Sequence, residues 1–248
     1  MSFPQFKNKH LEEALFNPED FGTYKKWKKK SFPKKMIICY HKAPLAYFKR
    51  KYKGKYESLN LYGDHKILKM GDIGFMRIRG IGALTATTFV EELIAHGAKE
   101  FINMGIAGGL SETGVFLCDK AVRDEGVSHH YLPHGMYSYP DELLSKKLTR
   151  SLEKIGIDYQ IGSTWTIDVP YRETKTEIAH YKKKGIKTVE MEASALFAVA
   201  KIRGAKMASV FVVSDVLGEK WEPQFHKLNL KRTLNKLVDA SINCLKSK

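Results

Sequence analysis

The sequence predicts a single α/β domain, with a mixed, largely parallel β-sheet flanked by helices. Three observations predict it. Short runs rich in Val, Ile and Ala alternate with longer amphipathic stretches, the order that builds strand–helix–strand units. The 248 residues suffice for one large domain and are too few for two comfortable ones. The hydrophobic share of 43% fits a packed core, while no run is apolar enough to predict a membrane span.

Taken in order, residues 1–35 read as a basic, helical lead-in and residues 36–248 as the α/β domain. Met36 to Tyr40 is a first short strand, ending at His41-Lys42. Leu68 to Arg79 alternates around Gly71 and Gly74 as a hairpin would. Thr85 to His96 is a helix, with Ala86, Phe89, Val90, Leu93 and Ile94 on one stripe and Gly97 closing it. Phe101 to Met104 is a strand that runs into a glycine loop, Gly105 to Gly109. Val115 to Val122 is another strand, Glu142 to Ile155 a helix, and Lys187 to Val189 a strand leading into Glu190-Met191-Glu192. Ala193 to Arg203 is a helix closed by Gly204, and Met207 to Val213 a buried strand.

The formal net charge is +15, with lysines crowded at Lys25 to Lys30, Lys49 to Lys55 and Lys182 to Lys184. Such a surface attracts polyanions through counterion release, but charge alone speaks to solubility and not to fold. No segment resembles a nucleic-acid module, so specific nucleic-acid binding is not expected. Cys39, Cys118 and Cys244 are odd in number and far apart, which suits reduced thiols of a cytoplasmic protein. The N-terminus lacks the apolar core of a secretory signal. His129, His130 and His134 have no HExxH pattern or cysteine partner, so no metal is expected.

Two segments carry chemistry. Val189-Glu190-Met191-Glu192-Ala193 places two carboxylates at the mouth of a helix, and Ser214-Asp215 ends an apolar strand. Acids at strand ends of an α/β sheet sit where such folds open their ligand crevice. One carboxylate there can accept hydrogen bonds from a vicinal diol, and a separate acid can protonate a basic leaving group.

These segments also carry a resemblance. VEMEASALFAVA followed by VVSD resembles the purine nucleoside and uridine phosphorylase superfamily, which includes methylthioadenosine-type nucleosidases. Three further stretches resemble it in the same order: RGIGALTATTFVEELIAHGAK from Arg79, GAKEFINMGIAGGLS from Gly97, and AVRDEGVSHHYLP from Ala121. Together they cover most of the chain. The resemblance implies a nucleoside phosphorylase-like α/β domain in a homo-oligomer, dimeric, trimeric or hexameric.

It also implies roles residue by residue. Glu192 would anchor the ribose hydroxyls with Met191 against the sugar, and His130 would approach the 5′ end. Asp215 would be the catalytic acid at N7 of a departing purine; uridine-specific members usually carry other residues there. Trp165, Tyr171 and Arg172 fall in the segment that contacts the base, with Gly108 beside it. Phosphate would meet His41, Lys42, Gly105, Arg79 and Arg123. Two departures stand out. Phosphorylases carry an Arg two residues before the first loop glycine, where this chain has Asn103; nucleosidases carry a water-activating Glu after the first strand, where it has His41-Lys42.

The sequence therefore predicts a purine-leaning nucleoside phosphorylase that needs no cofactor beyond inorganic phosphate as co-substrate. A hydrolytic nucleosidase of the same fold, acting on a nucleoside or nucleotide, is the first alternative. A non-catalytic, basic nucleic-acid or anion-binding protein is the second.

Overall fold

The computed structural model describes residues 3–6, 8–25, 32–61, 65–225 and 228–247. Within them, eleven strands form one sheet. The central strand is β5 (Glu100–Gly109), and β10 (Lys206–Leu217) runs parallel along one of its edges from end to end. The opposite edge is shared. Strand β1 (Lys35–Cys39) pairs in parallel with residues 100–103, and β9 (Ile186–Glu190) arrives antiparallel only at Gly108 and Gly109. Between them, residues 104–107 have no strand on that side among the described residues, which opens a crevice where the strand order divides.

From β1 the sheet continues through β4 (Ile73–Arg77), β3 (Lys66–Met70) and β2 (Glu57–Asn60). From β10 it turns back through β6 (Val115–Asp124) and β8 (Gln160–Ile167) to β9. The pairings β5–β10–β6–β8–β9–β5 thus close a ring. Two short strands, β7 (Tyr137–Ser138) and β11 (Trp221–Pro223), pair with β6 and β10.

Helices cover both faces because the inner strands are apolar on both. In β1, Ile37 and Cys39 join the core under α2 (Lys42–Lys51), α4 (Glu142–Ile155) and α7 (Leu228–Lys246). Met36 and Ile38 join the core under α3 (Ala83–Ala95) and α6 (Ala193–Ile202). Helix α4 has complete end signals. Asp141 accepts the Leu144 N–H at 2.7 Å, Gly156 ends the helix at φ 68°, and Leu144, Leu148 and Leu152 form its buried stripe. An N-cap of this kind is worth about 1 kcal/mol. Arg203, the C-cap of α6, clamps Glu91 of α3 through two bonds of 2.7 and 3.0 Å. Helix α5 (Lys175–Lys183) packs beside β9.

The structure corrects two sequence expectations. The glycines of 105–109 lie within β5, not in a loop after it. They are needed for close packing: a Cβ on Gly109 would meet the Glu112 carbonyl oxygen at 2.2 Å, and one on Gly108 would meet Val189 at 3.0 Å. The lead-in is helical only at α1 (Pro18–Tyr24) and a 3-10 turn, Lys9–Leu11, among the described residues; most of the Lys25 to Lys30 run lies outside them.

Candidate active site

The crevice at residues 104–107 collects the ends of several strands. On one side stands the β9–α6 junction. Glu190 accepts the N–H groups of Glu192 at 2.9 Å and Ala193 at 2.7 Å through Oε2, and the Thr166 hydroxyl at 2.5 Å through Oε1. It thereby satisfies helix-start amides that would otherwise be orphaned. Glu192, the N-cap residue, accepts the Gly82 N–H at 2.6 Å. That amide is aimed by a turn in which Gly80 (φ 109°) and Gly82 (φ 97°) adopt backbone conformations open to glycine.

Both carboxyls are buried, and burial pushes both upward, Glu190 to about 8 with the charge of Glu192 adding to it, and Glu192 to about 7. Both oxygens of Glu190 already act as acceptors. Near neutrality the two carboxyls titrate as a pair and retain a shared proton. Met191, between them, is half-buried.

On the other edge of β5 stands Asp215. Both Asp215 and Val189 lie in register with Gly108, from opposite sides. Asp215 is nearly buried, with Oδ1 accepting from Ser214 Oγ at 2.7 Å and Oδ2 from Trp221 Nε1 at 2.8 Å. Glu173, half-buried, is raised to about 7 by burial and then by the charges of Asp215 and Glu177. A Cβ on Gly108 would stand 3.6 Å from Asp215 Oδ2, so the acid lies close over the glycine backbone, beside Val189 and Leu217.

The third wall is cationic. Arg77, at the end of β4, donates through Nε to the Tyr40 carbonyl at 3.2 Å. His41 is half-buried at the start of α2 and is lowered by burial and by the charge of Arg77, so it is neutral near pH 7. Lys42 and Arg79 are exposed. Tyr40 closes the floor. Its ring lies 3.6 Å from where a Gly105 Cβ would be, and its hydroxyl donates to Asn103 Oδ1 at 3.1 Å. Asn103, fully buried, donates in turn to Ser209 Oγ at 3.1 Å, which takes it out of reach of any ligand.

Two predicted site residues lie elsewhere. Trp165 is fully buried among Leu110, Val122 and Ile167, with Nε1 on Asp124 at 2.8 Å, so it packs the core and does not face a base. Arg123 is buried and donates to the carbonyls of Ser128, Leu132 and Pro133 and to Ser128 Oγ, at 2.8 to 3.2 Å. Its guanidinium is consumed in shaping the 128–133 loop. Tyr171 and Arg172 are exposed on a 3-10 turn after β8. His130 is half-buried on a 3-10 turn, Ser128–His130, with Nδ1 enclosed and without a partner among the described residues. Sequence reasoning passed over Arg77, Tyr40, Glu173 and Trp221; only Arg77 had a signal, a cation within the predicted hairpin of residues 68–79. Among the described residues, no cluster of His, Cys, Asp and Glu is arranged for a metal.

The fold and this constellation of acids define an enzyme family. Residues 47–246 match the model of the phosphorylase superfamily, and the chain belongs to it. Among curated proteins it is similar to the DeoD-type purine nucleoside phosphorylases of Bacillus cereus and Bacillus mycoides, 28% identical over 173 residues, 66% of this chain and 73% of theirs. Among solved structures it is similar to an AMP nucleosidase from Bacteroides thetaiotaomicron, with TM-score 0.75, 20% identity, and coverage of 94% of this chain and 100% of that one. It is likewise similar to Toxoplasma gondii purine nucleoside phosphorylase bound to immucillin-H, with TM-score 0.76, 18% identity, and coverage of 94% and 95%.

Proposed function

We propose that this chain cleaves the N-glycosidic bond of a purine nucleoside by phosphorolysis, releasing free base and ribose 1-phosphate. The observation that carries the reading is the placement of Asp215 and the Glu190–Glu192 pair on opposite edges of β5, about Gly108. Bond breaking builds positive charge on the ribose and negative charge on the base, as in other glycosidic cleavages. Glu192 holds the ribose hydroxyls and Met191 the sugar face, and His130 offers its unpartnered nitrogen to the 5′ end. Asp215 delivers a proton to the purine, with Tyr171 and Arg172 at the base edge. His41, Lys42, Arg79 and Arg77 receive phosphate. The curated relatives are named as purine nucleoside phosphorylases, which supports this choice.

Hydrolysis is the second reading, and specific observations favour it. Tyr40 covers Gly105 and Arg123 is engaged elsewhere, which removes two of the expected phosphate contacts. A neutral His41 has the protonation state that a water-activating base needs. One of the similar structures is named as an AMP nucleosidase. Incubation with inosine and adenosine, with and without phosphate, separates the two. Phosphate-dependent base release with ribose 1-phosphate supports phosphorolysis, and full turnover in phosphate-free buffer with free ribose supports hydrolysis. We further propose a homo-oligomer, a cytoplasmic location and 36–248 as the catalytic unit; light scattering that gives the 28.3 kDa monomer for a fully active sample would reject the first. No helix among the described residues is long and apolar enough to cross a membrane.

A further inference from the structure

Three polar side chains beneath the crevice lie too deep to touch a ligand, yet form one continuous path. Glu125, at the end of β6, accepts the Val127 and Ser128 N–H groups and so folds the turn that carries His129 and His130. Its Oε1 also accepts the Ser194 hydroxyl of α6 at 2.7 Å. The Ser194 N–H donates to Thr166 Oγ1 at 3.0 Å, and the Thr166 hydroxyl donates to Glu190 at 2.5 Å. Glu190 holds the Glu192 N–H, and Glu192 accepts from Gly82. Glu125, Ser194 and Thr166 are each at most 5% exposed, so the path is shielded from water.

Buried polar networks are costly unless complete, and an apolar set of similar volume would hold the fold at least as well. This one is complete and directional. Every hydroxyl donates toward a carboxylate, and the path joins the carboxylate wall of the crevice to the Ser128–His130 turn. We propose that Glu125 is a positioning residue. Through Ser194, Thr166 and Glu190 it sets Glu192 relative to the His129–His130 turn, so that the ribose carboxylate and the wall proposed for the 5′ end move as one body. The functional part of this inference rests on the nucleoside reading above; the mechanical part does not.

The test uses the full chain and two variants, Glu125→Gln and Ser194→Ala. Ser194→Ala is the mild one, because Ala193 and Ala195 flank the site and alanine is the best helix former. Amide hydrogen exchange at Gly82 reads the far end of the path without requiring turnover. It should quicken roughly three- to ten-fold in both variants at temperatures well below melting. A merely local role for Glu125 would leave Gly82, on another element, unchanged, and that result overturns the proposal. On nucleosides, both variants should lower kcat/KM by a similar factor, mainly through KM, and the double variant should be no worse than the worse single one. Losses that multiply would overturn the coupling. Faster Gly82 exchange in a protein whose parent cleaves no nucleoside would leave the positioning intact and sink the nucleoside reading instead.

Discussion

Two of the three walls of the crevice, the carboxylate wall and the cation wall, are built by opposite strategies. On the carboxylate wall, every oxygen of Glu190 and one of Glu192 is assigned to a donor, and the donors sit on α6, β8 and the turn before α3. On the cation wall, Arg77 makes one hydrogen bond through Nε, His41 caps α2 without a side-chain bond, and Lys42 and Arg79 face solvent. A wired group has one position, whereas a loosely held cation can follow its ligand. The difference teaches where the chemistry is fixed and where it can drift. On the function proposed above, handling of the sugar is built into the core, and choice of nucleophile is left to an adjustable rim.

The comparison is sharpened most by the acid at the end of β10. Asp215→Asn should lower turnover of purine nucleosides by about 10²–10⁴-fold, while a nitrophenyl riboside, whose leaving group needs no proton, should lose far less. Equal losses on both substrates would make Asp215 an organiser of the β10–β11 hairpin through Trp221 and not the acid. Glu192→Gln follows at about a hundred-fold in kcat. The amide oxygen can still accept from Gly82, so melting should barely move. Activity within a few-fold of the parent would dissolve the functional asymmetry between the walls.

Arg77→Ala probes the rim. Under phosphorolysis it should raise the KM for phosphate about ten-fold and leave the KM for nucleoside nearly unchanged. No change in phosphate dependence would break the assignment of the cation wall to the anion, and loss of phosphate-independent turnover in His41→Asn would hand the site to water.

How much of this was legible in the residues differs between the walls in a related way. Helix α4 matched its expected bounds because Asp141, Gly156 and the leucines at every fourth position are all local signals. The acids of β9–α6 and β10 were legible because they interrupt apolar runs. The continuation of β5 through its glycines was not, since the reason is the approach of Val189 and the Glu112 carbonyl from other strands. Trp165 and Arg123 misled for the same reason. An indole bonded to Asp124 and a guanidinium consumed by loop carbonyls look, in sequence, like any aromatic or cation near a site. Strand β8 was hidden because Thr164 and Thr166 are fully buried polar residues whose partners lie in β9 and α6.

The smallest expected effect concerns pH, and it follows from wiring two acids into the core. Burial raises both Glu190 and Glu192, so between the ordinary glutamate range and about 8 the folded protein binds protons that the unfolded chain does not. For acids raised on folding, the stabilising contribution is fully present below the unfolded value and is lost as pH rises through the folded one. Melting should therefore be higher near pH 5.5 than near pH 9, other titrations being equal, and each kcal/mol of that change moves the midpoint by about 2–4 °C. Glu190→Gln, which cannot ionise, should flatten this dependence at some cost in overall stability, because an amide cannot accept from three donors as a carboxylate does. Activity should run the other way: kcat/KM should climb as pH passes about 7 and Glu192 gives up its proton to become a full acceptor for the ribose hydroxyls. A melting profile that rises from pH 6 to 9, or a kcat/KM flat across the same interval, would mean that the pair carries no shared proton and that the two walls differ in charge alone.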